Sequence, residues 1–180
     1  MRFGALILIL FSSVAFFISA YNLFNVYTHP LKFENEINFY AEKYDLTPAL
    51  VASVINVESS FNENAKSNKN AIGLMQIKLS TANYMQELNS ENTLTEQELF
   101  NPEININLGC RYLKYLIDKF KNINTSLAAY NAGETNVRNW LNSGIYSTDG
   151  IILNYIPFKE TRNYVEKINK NIKFYTKIYK

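Results

Sequence analysis

Thr47-Pro48-Ala49-Leu50-Val51-Ala52-Ser53-Val54-Ile55-Asn56-Val57-Glu58-Ser59-Ser60-Phe61 reads as a helix that runs into an acid. Thr47 followed by Pro48 is an N-cap with proline at the first helical position: the hydroxyl accepts an orphan backbone N–H, and proline has none to lose. Leu50, Val51, Val54, Ile55 and Val57 supply the apolar positions. Glu58 lies seven residues after Val51, four after Val54 and three after Ile55, so it continues the apolar stripe where a leucine is expected. It also falls at the helix C-terminus, where the macrodipole disfavours negative charge. Desolvation and the dipole both push a carboxyl pKa upward. A glutamic acid that keeps its proton near neutral pH is what a general acid requires. The competing reading is a helix-end Glu that turns out to solvent or pairs with a nearby lysine.

Around this segment the chain reads as a string of short helices, with almost no strand-like alternation. Asn35 to Tyr44 predicts a helix before it, and residues 59–79 read mostly as loop. A short helix is expected from Ser80 to Leu88, and Thr95 with Glu98 forms a capping box for another. Asn101-Pro102 repeats the cap-plus-proline start, and the stripe Ile106, Cys110, Leu113, Ile117 carries a long helix to Phe120. Thr125 to Ala132, Thr135 to Leu141 and a last helix from Glu160 complete the pattern. Cys110 and Trp140 read as core residues. The fold class is all-α.

Composition bounds the chemistry. The chain has 180 residues, one Cys and one His, which excludes an intramolecular disulfide and the usual Cys/His zinc cage. A net charge of +2 is too small for a nucleic-acid binder. Its distribution is uneven: residues 31–158 carry 10 basic and 14 acidic side chains, whereas residues 159–180 carry 7 basic and 2 acidic ones. The basic C-terminal helix suits anionic wall polymers or lipid headgroups, and it equally suits a solvated face whose lysines complement the helix end.

After Arg2 no charged residue occurs until Lys32, and Phe3 to Ala20 is apolar except for three serines. In a helix those residues reach about 27 Å, close to the hydrocarbon thickness of a bilayer. Residues 1–30 are therefore expected to be a signal peptide, cut after Ala15 or Ala20, or a membrane anchor that stays uncleaved. A buried core helix is the third reading. Residues 31–180 are expected to form one exported domain, periplasmic or held in the cell envelope at the inner membrane.

Several blocks occur in a recognisable order: Glu58-Ser59-Ser60-Phe61, then Ala71-Ile72-Gly73-Leu74-Met75-Gln76-Ile77, then Asn101-Pro102 with Asn105, Leu108-Gly109 and Arg111-Tyr112-Leu113. Ala128-Ala129-Tyr130-Asn131-Ala132-Gly133 and Glu160-Thr161-Arg162-Asn163-Tyr164-Val165 follow. Together they resemble the lytic transglycosylases, which share the fold of goose-type lysozyme. The resemblance spans roughly Glu34 to Lys170 and implies a lysozyme-like helical domain that cleaves the MurNAc–GlcNAc bond of peptidoglycan without water, leaving a 1,6-anhydro end. It implies that Glu58 is the acid and then the base, and that Tyr164 holds it in position. It places Gln76, Tyr130 and Asn131 in the sugar-binding cleft, with Met75 and the backbone at Gly73 in its wall and Ser59 beside the catalytic residue. No cofactor or metal is implied. Lys78-Leu79-Ser80 stands where many relatives have a proline, which bears on the entry to the next helix and not on the chemistry.

The carboxylate inventory is an independent observation. A two-carboxylate glycosidase needs a second acid near the first, yet no Asp or Glu lies between Glu63 and Glu87. This fits a single-acid mechanism in which the substrate's N-acetyl group stabilises the charge at C1. A hydrolytic muramidase on the same fold and a non-catalytic wall-binding assembly factor are the alternatives. The domain's size implies, as an expectation, a small enzyme that opens peptidoglycan strands for a secretion, conjugation or flagellar assembly.

Overall fold

A computed structural model describes residue 11, residues 13–20 and residues 28–179 of the chain. The chain divides into two units, residues 1–32 and 33–180. In the first, residues 13–20 are helical. Among the described residues no helix is long and apolar enough to cross a membrane. The expected export signal or anchor falls largely outside the described residues.

Among its described residues the second unit contains seven α-helices: α1 (Glu34–Lys43), α2 (Pro48–Ser59), α3 (Leu79–Glu87), α4 (Pro102–Phe120), α5 (Ile123–Ala132), α6 (Glu134–Asn142) and α7 (Lys159–Tyr175). Between α2 and α3 lies a small antiparallel hairpin, β1 (Ala71–Ile72) with β2 (Ile77–Lys78), paired Ala71 to Lys78 and Ile72 to Ile77. The all-α reading holds, with this hairpin inside the stretch expected to be loop.

Both proline starts are capped as anticipated. Thr47 Oγ1 accepts from the Leu50 N–H at 3.2 Å, and Asn101 Oδ1 accepts from the Ile104 N–H at 3.1 Å. Each such cap contributes about 1 kcal/mol. The expected start of α5 at Thr125 is corrected to Ile123, because Asn122 is the cap and its Oδ1 accepts from the Thr125 N–H at 3.0 Å. The helix expected after Thr95 is corrected to a single 3-10 turn, Glu98–Phe100. Glu98 Oε2 does accept from the Thr95 N–H at 2.8 Å. The turn stops because Asn101 is extended ahead of Pro102, as residues before proline must be.

Helix α2 is the centre of the core. Every residue from Ala49 to Ile55 is buried, so the helix is covered on all sides. Small Ala49, Ala52 and Ser53 let neighbours approach, and the Ser53 hydroxyl donates back to the Ala49 carbonyl at 2.6 Å, which keeps a buried polar group satisfied. The most extensive helix pairing joins α2 to α7. That face of α7 is the three-and-four-spaced row Thr161, Tyr164, Val165, Ile168 and Tyr175. In α4, Ile106, Cys110 and Leu113 are buried as expected, but the next buried position is Leu116, with Ile117 half-exposed. Trp140 and Cys110 lie in the core.

Candidate active site

Glu58 occupies the last turn of α2, and the α2–α7 pairing brings Tyr164 onto it. The Tyr164 hydroxyl donates to Glu58 Oε1 at 2.7 Å, and Tyr164 itself is only 6% exposed. Burial of the Glu58 carboxyl raises its pKa from 4.5 to about 7, and the hydrogen bond from Tyr164 pulls in the opposite direction without overcoming it. Desolvation thus governs the acid. Burial also drives the Tyr164 and Tyr130 phenols well above their ordinary pKa, with the Glu58 charge adding to it, so both stay protonated donors. The reading of Glu58 as a solvent-facing or lysine-paired helix end does not describe this arrangement. Among the described residues it forms no ion pair.

Glu58 opens on a cleft of about 410 Å³, within the size range of small-molecule sites. Gln76 and Ile77 from the hairpin, Thr81 from α3, Tyr112 from α4, and Tyr130 and Asn131 from the end of α5 line it. Asn131 Oδ1 accepts from the Thr161 hydroxyl at 2.7 Å, which leaves the amide NH₂ as the end for a ligand. Glu160, at the start of α7, is the one further carboxylate among the lining residues. It is three-quarters exposed, at 4.0 Å from the Lys69 ammonium.

The Gly73–Gln76 turn is held by side chains from three helices and from within itself. Ser59 of α2 donates to the Leu74 carbonyl at 2.8 Å, and Tyr130 of α5 donates to the Met75 carbonyl at 2.8 Å. Asn105 of α4 is wholly buried: its Oδ1 accepts from the Met75 N–H at 2.8 Å, while its Nδ2 donates to the carbonyls of Ile72 at 2.9 Å and Leu99 at 2.8 Å. Gln76 Nε2 closes the turn by donating to Gly73 at 2.9 Å and Ala65 at 3.3 Å. Gly73 has φ +75°, and a Cβ there would lie 2.3 Å from Asn105 Nδ2. The Met75 side chain packs on Gly109, where a Cβ would meet its sulfur at 2.3 Å.

Of the residues singled out from sequence, Glu58, Gln76, Tyr130 and Asn131 converge on the cleft, and Tyr164 stands behind Glu58. Ser59, Gly73 and Met75 do not line it. The Ser59 hydroxyl is bound to backbone, Met75 is fully buried, and Gly73 is a glycine because Asn105 and the Leu99 carbonyl fill the space a side chain would need. Asn105, Tyr112 and Thr161 carry parts of the site to which sequence reading assigned no role. For Asn105 a signal existed: with Leu108, Gly109 and Leu116 it forms a second buried row on α4, in which an amide is conspicuous.

The profile of the family described as Transglycosylase SLT domain matches residues 35–148 of this chain. The match ends before α7, so Tyr164 lies beyond it. The soluble lytic murein transglycosylase of Escherichia coli strain K12 is 34% identical over 142 residues, which cover 77% of this chain and 22% of that protein. The crystal structure of the 70 kDa soluble lytic transglycosylase from Escherichia coli superposes with a TM-score of 0.73 at 31% identity, covering 83% of this chain and 25% of that one. A lytic transglycosylase of Pseudomonas aeruginosa, solved as an inactive Glu-to-Gln mutant, gives a TM-score of 0.72 at 28% identity over 83% of this chain and 24% of its own. This chain thus spans about a quarter of the length of these three relatives.

Proposed function

From its membership of the Transglycosylase SLT domain family, to which this chain belongs, we propose that the protein is a peptidoglycan lytic transglycosylase whose single acid and base is Glu58. The observation that carries this reading is a carboxyl at the cleft that holds its proton near pH 7 and is oriented by one buried phenol. With Oε1 accepting from Tyr164, the acid proton belongs on Oε2. Oε2 protonates the glycosidic oxygen between MurNAc and GlcNAc as the bond to C1 breaks. The substrate's N-acetyl oxygen stabilises the positive charge at C1. The C6 hydroxyl of the same MurNAc then attacks C1 and gives its proton to the Glu58 carboxylate, which regenerates the acid and closes the 1,6-anhydro ring. Gln76, Tyr130, Asn131 and Tyr112 hold the sugars in this reading, while Ser59, Gly73 and Met75 shape the wall behind them.

Product analysis tests the proposal. Peptidoglycan digested by the full chain should release fragments ending in 1,6-anhydroMurNAc, seen as a loss of one water in their mass spectra. Reducing-end MurNAc would instead establish the hydrolytic muramidase. The observation that favours this second reading is Glu160 at the cleft. If that carboxylate activated water, Glu160→Gln would abolish cleavage; in the single-acid mechanism it leaves the anhydro product unchanged. Binding of peptidoglycan without cleavage under any condition would establish the wall-binding assembly factor.

Tyr164→Phe separates positioning from acidity. The hydrogen bond from Tyr164 lowers the Glu58 pKa, so its removal should move the alkaline limb of the pH–rate profile above pH 7. The maximal rate should fall roughly 10- to 100-fold as the carboxyl loses its orientation. An unshifted alkaline limb would refute the assigned role of the phenol.

Peptidoglycan as substrate places the site of action in the cell envelope. Residues 1–30 serve in this reading as the export signal or anchor, and a secretion, conjugation or flagellar assembly is the proposed partner.

A further inference from the structure

Helix α7 has two faces of different character. Its inner face packs against α2 and carries Tyr164. Its outer face is the exposed series 159, 163, 166, 170 and 173, at spacings of three and four, with 167 beside it, and the exposed residue 177 in the turn after the helix continues the series. Lys159, Lys167, Lys170, Lys173 and Lys177 occupy five of these seven positions, and Glu166 is the one acid. None of the five lysines has an ion-pair partner among the described residues. The helix is about 25 Å long at 1.5 Å per residue, so the lysines form a cationic stripe along that length.

At the N-terminal end of this stripe the loop between α6 and α7 exposes large apolar side chains. Ile145 is 77% exposed, and Ile151, Ile152, Tyr155 and Phe158 are also exposed. The loop is tied down. Asp149 Oδ1 accepts from the N–H groups of Ile151 and Ile152, both at 2.8 Å, and Asn154 donates its N–H to the Tyr146 carbonyl at 2.8 Å. Arg162 of α7 stacks over Tyr155 with its guanidinium carbon 4.8 Å from the ring centre, and it donates to the Ile156 carbonyl. Phe158 packs edge-on against Trp140 at 4.9 Å. The apolar side chains are thus presented by a braced loop joined directly to the lysine stripe.

We propose that the lysine stripe of α7 and the apolar loop at its N-terminal end form a surface that docks on an anionic lipid bilayer. A cationic face beside exposed aliphatic and aromatic side chains matches the two layers of a membrane interface: phosphate-bearing headgroups outside, acyl chains beneath. Charge complementarity selects the bilayer over an uncharged partner, and the isoleucines select it over a purely anionic polymer, which offers them nothing to enter. Docking in this way holds the catalytic domain at the membrane surface through contacts separate from residues 1–30.

The chain's single tryptophan, Trp140, reports on this surface from beneath Phe158. The test uses the full chain with vesicles of brominated phosphatidylcholine, with and without one-third phosphatidylglycerol. Trp140 fluorescence should be quenched on the anionic vesicles and recover in 0.5 M salt. Each lysine near an anionic surface is worth about fivefold in affinity, so the K167Q/K170Q/K173Q variant should need roughly a hundredfold more lipid for the same quenching. Ile151→Ser with Ile152→Ser should reduce quenching at unchanged salt dependence. Insertion of residues 1–30 alone would be indifferent to these changes. Equal quenching on neutral and anionic vesicles, or in the wild type and the lysine variant, would overturn the proposal. So would lysine-dependent binding to a wall polymer with no quenching by vesicles. None of these substitutions touches the cleft, so peptidoglycan cleavage in detergent should stay unchanged, whatever the outcome for the lipid.

Discussion

Glu58→Gln is expected to lower the rate of peptidoglycan cleavage by at least about 10²- to 10⁴-fold, the range for losing a general acid, while raising stability above neutral pH. The first effect follows because in the proposed mechanism one group serves both proton transfers, and Gln can perform neither. The second follows from linkage. In the folded chain the carboxyl titrates at about 7, against 4.5 ordinarily. Below pH 4.5 both folded and unfolded chains hold the proton, and the stabilising contribution is fully present. Between pH 4.5 and 7 the unfolded chain gives up its proton while the folded chain keeps it, so this contribution falls as pH rises and is lost above about 7. At 1.36 kcal/mol per pH unit that span amounts to about 3 kcal/mol. Gln is uncharged at every pH and accepts the Tyr164 hydrogen bond with its carbonyl, so it avoids the cost. Thermal melts of the two proteins should nearly coincide at pH 4.5 and diverge by several degrees at pH 8, with the variant higher. A constant difference across that range would mean that Glu58 ionises freely in the fold and is not a desolvated acid.

Asn105→Ala is expected to produce the largest loss of stability of any single change near the site. It strands the buried N–H of Met75 and the carbonyls of Ile72 and Leu99. A buried group left without its partner costs about 1–3 kcal/mol, so the total is roughly 4 kcal/mol or more, against a typical native stability of about 5–15 kcal/mol. The urea midpoint should fall accordingly at an unchanged slope. Asn105→Asp sharpens the test: an ionised carboxylate can still accept from Met75 but faces two carbonyls as a like charge. Its destabilisation should therefore lessen at acid pH, where a protonated Asp regains a donor. An unfolding free energy within about 1 kcal/mol of wild type for Asn105→Ala would mean that the Gly73–Gln76 turn is held by Ser59, Tyr130 and Gln76 without it.

Much of this architecture is written locally. Thr47-Pro48 and Asn101-Pro102 start helices through a side-chain oxygen and a missing N–H within four residues, so they are readable without any tertiary contact. The same applies to the stripe that Glu58 continues: a carboxyl at a position where helical spacing demands burial is anomalous on periodicity alone. Errors arose where a local preference met a neighbour. Thr95 and Glu98 do form the hydrogen bond of a capping box, yet Pro102 ends the turn before an α-helix can develop. The resemblance puts the Gly73 backbone in the cleft wall, whereas the amide that fills its empty Cβ space comes from 32 residues further along the chain.

By itself the sequence determined the helical class, the caps and the anomalous place of Glu58 on an apolar stripe, because capping and the apolar period are properties of consecutive residues. Only the tertiary structure decided what the acid is worth. The α2–α7 packing removes water from Glu58 and sets one phenol against it. Which of Ser59, Gly73, Met75 and Gln76 meet the cleft depended equally on Asn105 and Tyr130, which reach the turn from α4 and α5. Desolvation and orientation arise between segments distant in sequence, and no periodicity within one segment encodes them.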